Sequence, residues 1–157
     1  GTETPRDAEN FKSNPNSSPT FQLLKSTAQK NRIYLLGGSF TEVTDDGTYY
    51  NTSLTFDPEG NVINEYRKLH LFDIDIPGKI TNKESDTVSP GKKISTFQTK
   101  FGRMGVAICY DLRFPELAAI MVAEGAKVIF YPSQFSLATG PLHWDLLLRG
   151  RAVDNQV

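Results

Sequence analysis

The spacing of apolar residues changes period several times along this chain, and each change marks an element. Phe21, Leu24 and Ala28 recur at helical spacing, which predicts a helix over 19–30 with Ser18 as N-cap and Pro19 at its first position. Residues 33–36 form a short apolar run, read as a strand stopped by Gly37-Gly38. Tyr50, Thr52, Leu54 and Phe56 then alternate with Asn51, Ser53 and Thr55, the pattern of a half-buried strand. Asp57-Pro58-Glu59-Gly60-Asn61 supplies a turn, and 62–68 returns as the paired strand, which leaves Lys68 at the end of a hairpin. Residues 69–91 read as a long loop of the kind that is functional or disordered. A second hairpin is predicted from 96–99 and 103–109 around Lys100-Phe101-Gly102. Pro115 opens a helix in which Leu117, Ile120 and Met121 share a face, and Gly125 closes it as a C′ glycine. With a strand over 127–131, this makes a strand–helix–strand unit, which implies parallel pairing and a right-handed crossover. A last helix over 142–154 carries Trp144, Leu147, Leu148 and Arg151, weakened slightly by Gly150. Residues 1–17 are polar, with Pro5 and Pro15, and read as loop or frayed terminus. The order predicts a mixed α/β layered domain.

Charge narrows the partners. Seventeen basic and eighteen acidic residues leave a net charge of −1, which points away from nucleic acid and anionic membranes. No apolar run approaches a membrane span, and nothing near Gly1 reads as a secretory signal. The expected location is cytoplasmic, with mitochondrial or plastid targeting left open. A single cysteine excludes an intrachain disulfide and suits a reducing compartment. Two distant histidines and that cysteine show no metal-ligand spacing, so no metal or cofactor is expected.

Cys109 is where the chemistry concentrates. It follows the apolar strand over 104–108 and precedes the helix opened by Pro115. At such a junction, unpaired N–H groups and the positive end of a helix dipole favour a thiolate. An inert buried cysteine is the competing reading, and the polar Asp111-x-Arg113 directly after it brings the two level. His70 and His143 also invite a Cys–His dyad.

The surrounding motifs carry a resemblance. Cys109-Tyr110-Asp111-Leu112-Arg113-Phe114-Pro115-Glu116 resembles the nucleophile motif of the nitrilase (carbon–nitrogen hydrolase) superfamily. Tyr66-Arg67-Lys68-Leu69-His70-Leu71-Phe72-Asp73 resembles that superfamily's catalytic-lysine motif. Asp73-Ile74-Asp75-Ile76-Pro77-Gly78-Lys79-Ile80 and Lys83-Glu84-Ser85 are similar to the omega-amidase branch. Gly140-Pro141-Leu142-His143-Trp144 and Arg151-Ala152-Val153-Asp154-Asn155-Gln156 fit the same branch.

The resemblance implies a four-layer α-β-β-α sandwich, incomplete in this chain, with 1–157 a single partial domain. It implies Cys109 as nucleophile, forming a thioester and releasing ammonia. Lys68 would stabilise the oxyanion together with the Tyr110 backbone N–H, and Glu84 would orient the lysine and the substrate. Asp111, Arg113 and Glu116 are expected to brace the nucleophile turn through ion pairs. Phe135 and His143 are expected in the substrate pocket, and in this family's pattern the histidines are structural rather than a dyad.

Two departures stand out. The family's catalytic glutamate, the general base and acid, falls upstream of Gly1, and neither Glu3 nor Glu9 stands in its motif. The pocket loop, usually Gly-Ala-Phe-Asn, is here Ser133-Gln134-Phe135-Ser136. The leading expectation is an omega-amidase-like hydrolase acting on a small dicarboxylate monoamide, such as 2-oxoglutaramate or 2-oxosuccinamate. Its alternatives are an amidase for deaminated glutathione or another linear amide, and a non-catalytic remnant keeping an association surface. The complete protein is expected to form a homodimer or higher homo-oligomer, and the isolated chain to be inactive and prone to aggregate.

Overall fold

The computed structural model describes Pro5 and residues 7–157. The chain divides into two compact units, Gly1–Lys93 and Ile94–Val157. The α/β class is the one expected.

The first unit is a helix laid on an antiparallel sheet. Strands β1 (Leu35–Leu36) and β2 (Phe40–Val43) run along one edge of β3 (Tyr49–Phe56), and β4 (Val62–Arg67) runs along the other. The pairing Leu36↔Thr55 becomes Phe40↔Thr52 further on, a slip of one residue. Gly37-Gly38 ends β1 as expected, and the chain resumes as β2 on the same edge, a strand whose Phe40-Thr41-Glu42-Val43 sequence carries a charge and so gives no apolar run. Gly37 also permits close packing, since a Cβ there would lie 2.4 Å from Leu24 of α1 (Pro19–Asn31). Leu54 and Phe56, with Phe11 and Ala28, form the core beneath α1, and Phe21, Leu24, Leu35 and Phe40 pack against it. Removing a buried ring such as Phe56 costs about 3–5 kcal/mol at sites of this kind.

The alternation in β3 divides two chemically different faces. Ser53 and Thr55 on the second face are as buried as Leu54 and Phe56 on the first, so the strand is covered on both sides and not half-buried. The hairpin turn is tied by Asp57, whose Oδ1 accepts from the N–H groups of Glu59 (3.0 Å) and Asn61 (2.7 Å).

The N-terminal segment is anchored and not frayed in its described part. Phe11 is buried, and Glu9 bridges β2 through Glu9 N–H to Thr41 O at 2.9 Å. Glu3 lies outside the described residues. Ser18 occupies the N-cap position of α1, but its hydroxyl donates backward to Asn14 O at 3.0 Å. The cap is the Glu9 carboxylate, which accepts from the Thr20 and Phe21 N–H groups at 2.8 and 3.2 Å. A carboxylate at a helix N-terminus satisfies orphan donors and opposes the dipole, and sequence spacing cannot reveal one supplied from eleven residues away.

The expected long loop contains structure. Strands β5 (Asp73–Ile76) and β6 (Ile80–Lys83) pair as a hairpin closed by Lys79 N–H to Ile76 O at 2.9 Å, and a 3-10 turn follows at Glu84–Asp86. Asp73 Oδ1 accepts from Ser85 N–H at 3.0 Å, and bonds from Ser85 hold its carboxyl below the usual range. Pro77 and Gly78 form the turn of this hairpin, so the segment is not a continuous loop.

In the second unit, β7 (Thr96–Thr99) and β8 (Gly102–Val106) form the predicted antiparallel hairpin, and β8 pairs in parallel with β9 (Val128–Phe130). The crossover is α2 (Pro115–Ala123), which buries Leu117, Ala118 and Met121. It ends as foreseen: Gly125 has φ +97°, Gly125 N–H meets Val122 O at 2.8 Å, and Ala126 N–H meets Met121 O at 3.0 Å. That pair of bonds is a Schellman cap. The last helix, α3 (Gly140–Asn155), begins two residues earlier than its apolar pattern, with Pro141 in its first turn.

Candidate active site

Pairing in the first unit brings Lys68 to its position. The β3–β4 ladder extends one step past Arg67, with Lys68 N–H donating to Asn51 O at 2.9 Å. Alternation along β4 sends Arg67 to the α1 face and Lys68 to the opposite one. Arg67 is spent there, forking onto Glu42 through Nε (2.8 Å) and Nη2 (2.5 Å), while Thr52 donates to the same carboxylate at 2.6 Å. Glu42 raises the Arg67 guanidinium above its ordinary value, chiefly by these hydrogen bonds. Arg67 is thereby the structural member of the motif.

Lys68 is only 3% exposed, and its Nζ donates to Glu84 Oε2 at 2.5 Å. A lysine so buried needs a charged partner, because an unpaired ammonium in a dry site is very costly. Glu84 is held in turn by three donors: the same Oε2 accepts from Phe72 N–H at 2.7 Å, and Oε1 accepts from Asn51 Nδ2 at 3.2 Å. The structure thus brings Lys68 and Glu84 together. It adds Asn51, which holds the lysine backbone with its carbonyl and the glutamate with its amide. No motif marks Asn51, and only the register opposite Lys68 exposes it.

The Cys109 turn is built separately in the second unit. Regular strand ends at Val106, yet the parallel ladder runs on, with Ala107 N–H to Phe130 O and Cys109 N–H to Pro132 O, each 3.0 Å. The chain then winds into a 3-10 turn, Cys109–Arg113, six residues before α2 begins at Pro115. The expected strand-to-helix junction is therefore a strand-to-turn junction. Cys109 has φ +47°, a left-handed conformation that costs a non-glycine residue energy and collects at functional sites. Its Sγ lies 3.8 Å from Gln134 O in the 133–136 loop.

Hydrogen bonds and ring contacts brace this turn. Asp111, fully buried, uses Oδ2 to accept from Ile108 N–H at 2.9 Å, pinning the residue before the cysteine. Arg113 lies over the rings of Tyr110 and Phe135, 5.6 Å from each centroid, and meets His143 Nδ1 at 3.2 Å. Arginine only donates, so Nδ1 is the acceptor in this contact. Arg151 of α3 adds a further brace, with Nε donating to Leu112 O at 3.2 Å. The Tyr110 ring packs edge-on against Phe114 at 5.7 Å.

A cavity of about 610 Å³ opens beside this turn's partner loop, lined by Ser133, Phe135, Gly140, Pro141, Trp144 and Asp145. Phe135 and Trp144 form one wall, with ring centroids 5.0 Å apart. His143 is not among the lining residues and faces Arg113 instead.

Comparison with known proteins places the chain in a family. Residues 3–157 match the carbon–nitrogen hydrolase family, to which the chain belongs. It is 54% identical to the omega-amidase of Homo sapiens over 136 residues, covering 87% of this chain and 49% of that protein. It superposes on Saccharomyces cerevisiae Nit3, described as a member of branch 10 of the nitrilase superfamily, with a TM-score of 0.80 and 48% identity, covering 89% of this chain and 48% of that one. The Caenorhabditis elegans NitFhit protein gives a TM-score of 0.82 at 37% identity, covering 92% of this chain and 35% of that one. The chain spans about half the length of the omega-amidase and of Nit3.

Proposed function

We propose that the complete protein is an omega-amidase, hydrolysing the terminal amide of a small dicarboxylate monoamide such as 2-oxoglutaramate. The observation that carries this reading is the buried Lys68–Glu84 pair, held by Phe72 and Asn51. An ammonium kept from water is suited to a developing oxyanion, where preorganised charge contributes most. The family resemblance gives Cys109 the role of nucleophile at the amide carbon and gives Lys68 and the Tyr110 N–H the role of stabilising the tetrahedral oxygen. The C–N bond breaks, the proton lost by the thiol passes to the leaving nitrogen, ammonia departs, and a thioester stays on Cys109. Water then cleaves the thioester, giving the carboxylic acid and the free thiol. The substrate assignment is supported by the 54% identity to omega-amidase.

Ser133 and Phe135, where the loop departs from the branch pattern, both line the cavity. The test therefore compares 2-oxoglutaramate with deaminated glutathione on the complete protein. Higher kcat/KM for 2-oxoglutaramate is expected. A preference for deaminated glutathione would overturn the substrate, and no turnover of either would overturn the amidase reading.

A further inference from the structure

We infer that the first unit carries a separate binding site for a small organic phosphate, on the face of the sheet opposite Lys68. A cavity of about 530 Å³ lies there, lined by Lys12, Tyr50, Glu65, Arg67 and the segment Pro90, Gly91, Lys92 and Lys93. Its volume falls within the range of small-ligand sites and exceeds what a bare anion fills.

The charge in this cavity is unbalanced. Four cations line it against Glu65 on its wall and Glu42 behind Arg67, which leaves two positive charges. Lys12 is engaged by Glu65 at 2.7 Å, and Arg67 by Glu42 through Nε and Nη2. The exposed Lys92 and Lys93 make no ion pair among the described residues. A phosphate monoester carries close to two negative charges at neutral pH and offers three acceptor oxygens to such donors.

The cavity is also built rather than draped. The Arg67 guanidinium lies over the Tyr50 ring, 3.9 Å from its centroid, making a wall with one charged and one apolar component. Opposite, the lysine-bearing segment is pressed onto β4: Gly91 N–H donates to Lys68 O at 2.7 Å, and a Cβ on Gly91 would lie 2.1 Å from Arg67 O. Only glycine allows that approach, and it fixes the backbone from which Lys92 and Lys93 project. The phosphate meets the lysines, and the organic body lies along Tyr50 and Pro90. This inference is independent of the amidase reading, since none of these side chains is placed in the catalytic machinery.

Titration calorimetry with phenyl phosphate on the complete protein, at physiological salt, tests it. Binding with a Kd of about 1 mM or tighter is expected, and the Lys92→Gln/Lys93→Gln double variant should weaken it about tenfold or more. Charge reversal in Lys92→Glu should weaken binding as well, and both variants should keep amidase turnover. Absence of binding by the parent protein, or equal binding by the double variant, would overturn the site. The second result would place the phosphate elsewhere.

Discussion

Breaking the Lys68–Glu84 pair from each side should reveal how much of its cost comes from a stranded charge. In Lys68→Met the buried stem is replaced at similar volume, so little apolar contact is lost. Glu84 is then left with Phe72 N–H and Asn51 Nδ2 as its remaining donors, at a side-chain exposure of 19%. Removing one partner of a fully buried pair costs about 3–5 kcal/mol, and the residual exposure of Glu84 sets the expectation near the lower end, about 3 kcal/mol. Glu84→Gln keeps an acceptor for Lys68 and Phe72, and Asn51 can turn its amide to meet the new donor, so about 2 kcal/mol is expected. With both charges gone nothing is stranded, so the double variant should lose about 2 kcal/mol, less than Lys68→Met alone and well below the sum, a coupling of about 3 kcal/mol. Urea midpoints of the complete protein, read with unchanged slopes, measure all three. Additive losses, or a Lys68→Met loss within about 0.5 kcal/mol, would show that the pair is not the dry, mutually dependent unit described.

Cys109→Ala should abolish amide turnover in the complete protein, and Cys109→Gly should be more stable than Cys109→Ala by about 1 kcal/mol, because glycine relieves the φ of +47°; retained turnover would remove the nucleophile assignment. Asn51→Ala should lower kcat about tenfold or more with KM little changed, by loosening both members of the pair, and a change confined to KM would assign Asn51 to substrate binding instead. The Tyr131 hydroxyl has no hydrogen-bond partner among the described residues, and burial pushes its pKa from 10.0 to about 12. A folded pKa above the unfolded one favours the neutral form, so its stabilising contribution is whole below pH 10.0 and falls by about 2 kcal/mol towards pH 12. Tyr131→Phe should flatten that alkaline decline in urea midpoints, and an unchanged decline would count against it.

Much of the architecture was legible because it is local. The apolar spacing of Phe21, Leu24 and Ala28 and that of Leu117, Ile120 and Met121 marked both helices, although Ile120 is 44% exposed and Ala118 takes its place on the buried face. The Asp57 turn and the Gly125 cap could be read because each depends on a few consecutive residues. The 73–83 hairpin escaped notice for the opposite reason. Its β6 strand is exposed along its whole length, so no buried face imposes a period of two on it.

The identity of the motifs around Lys68 and Cys109 belongs to the sequence, and so does the α/β class. What only the tertiary structure decided is which partner each polar group takes. Arg67 and Lys68 are adjacent and alike in charge, yet the pleat sends one to Glu42 and the other to Glu84, sixteen residues beyond the lysine. Asp111 pins a backbone N–H, Arg113 turns to His143, and a helix is capped by Glu9 where Ser18 was the local candidate. The physical reason is common to all of them. Burying a charge is costly enough that it takes whichever partner the fold brings within hydrogen-bonding distance, and that partner is set by strand register and face rather than by distance along the chain.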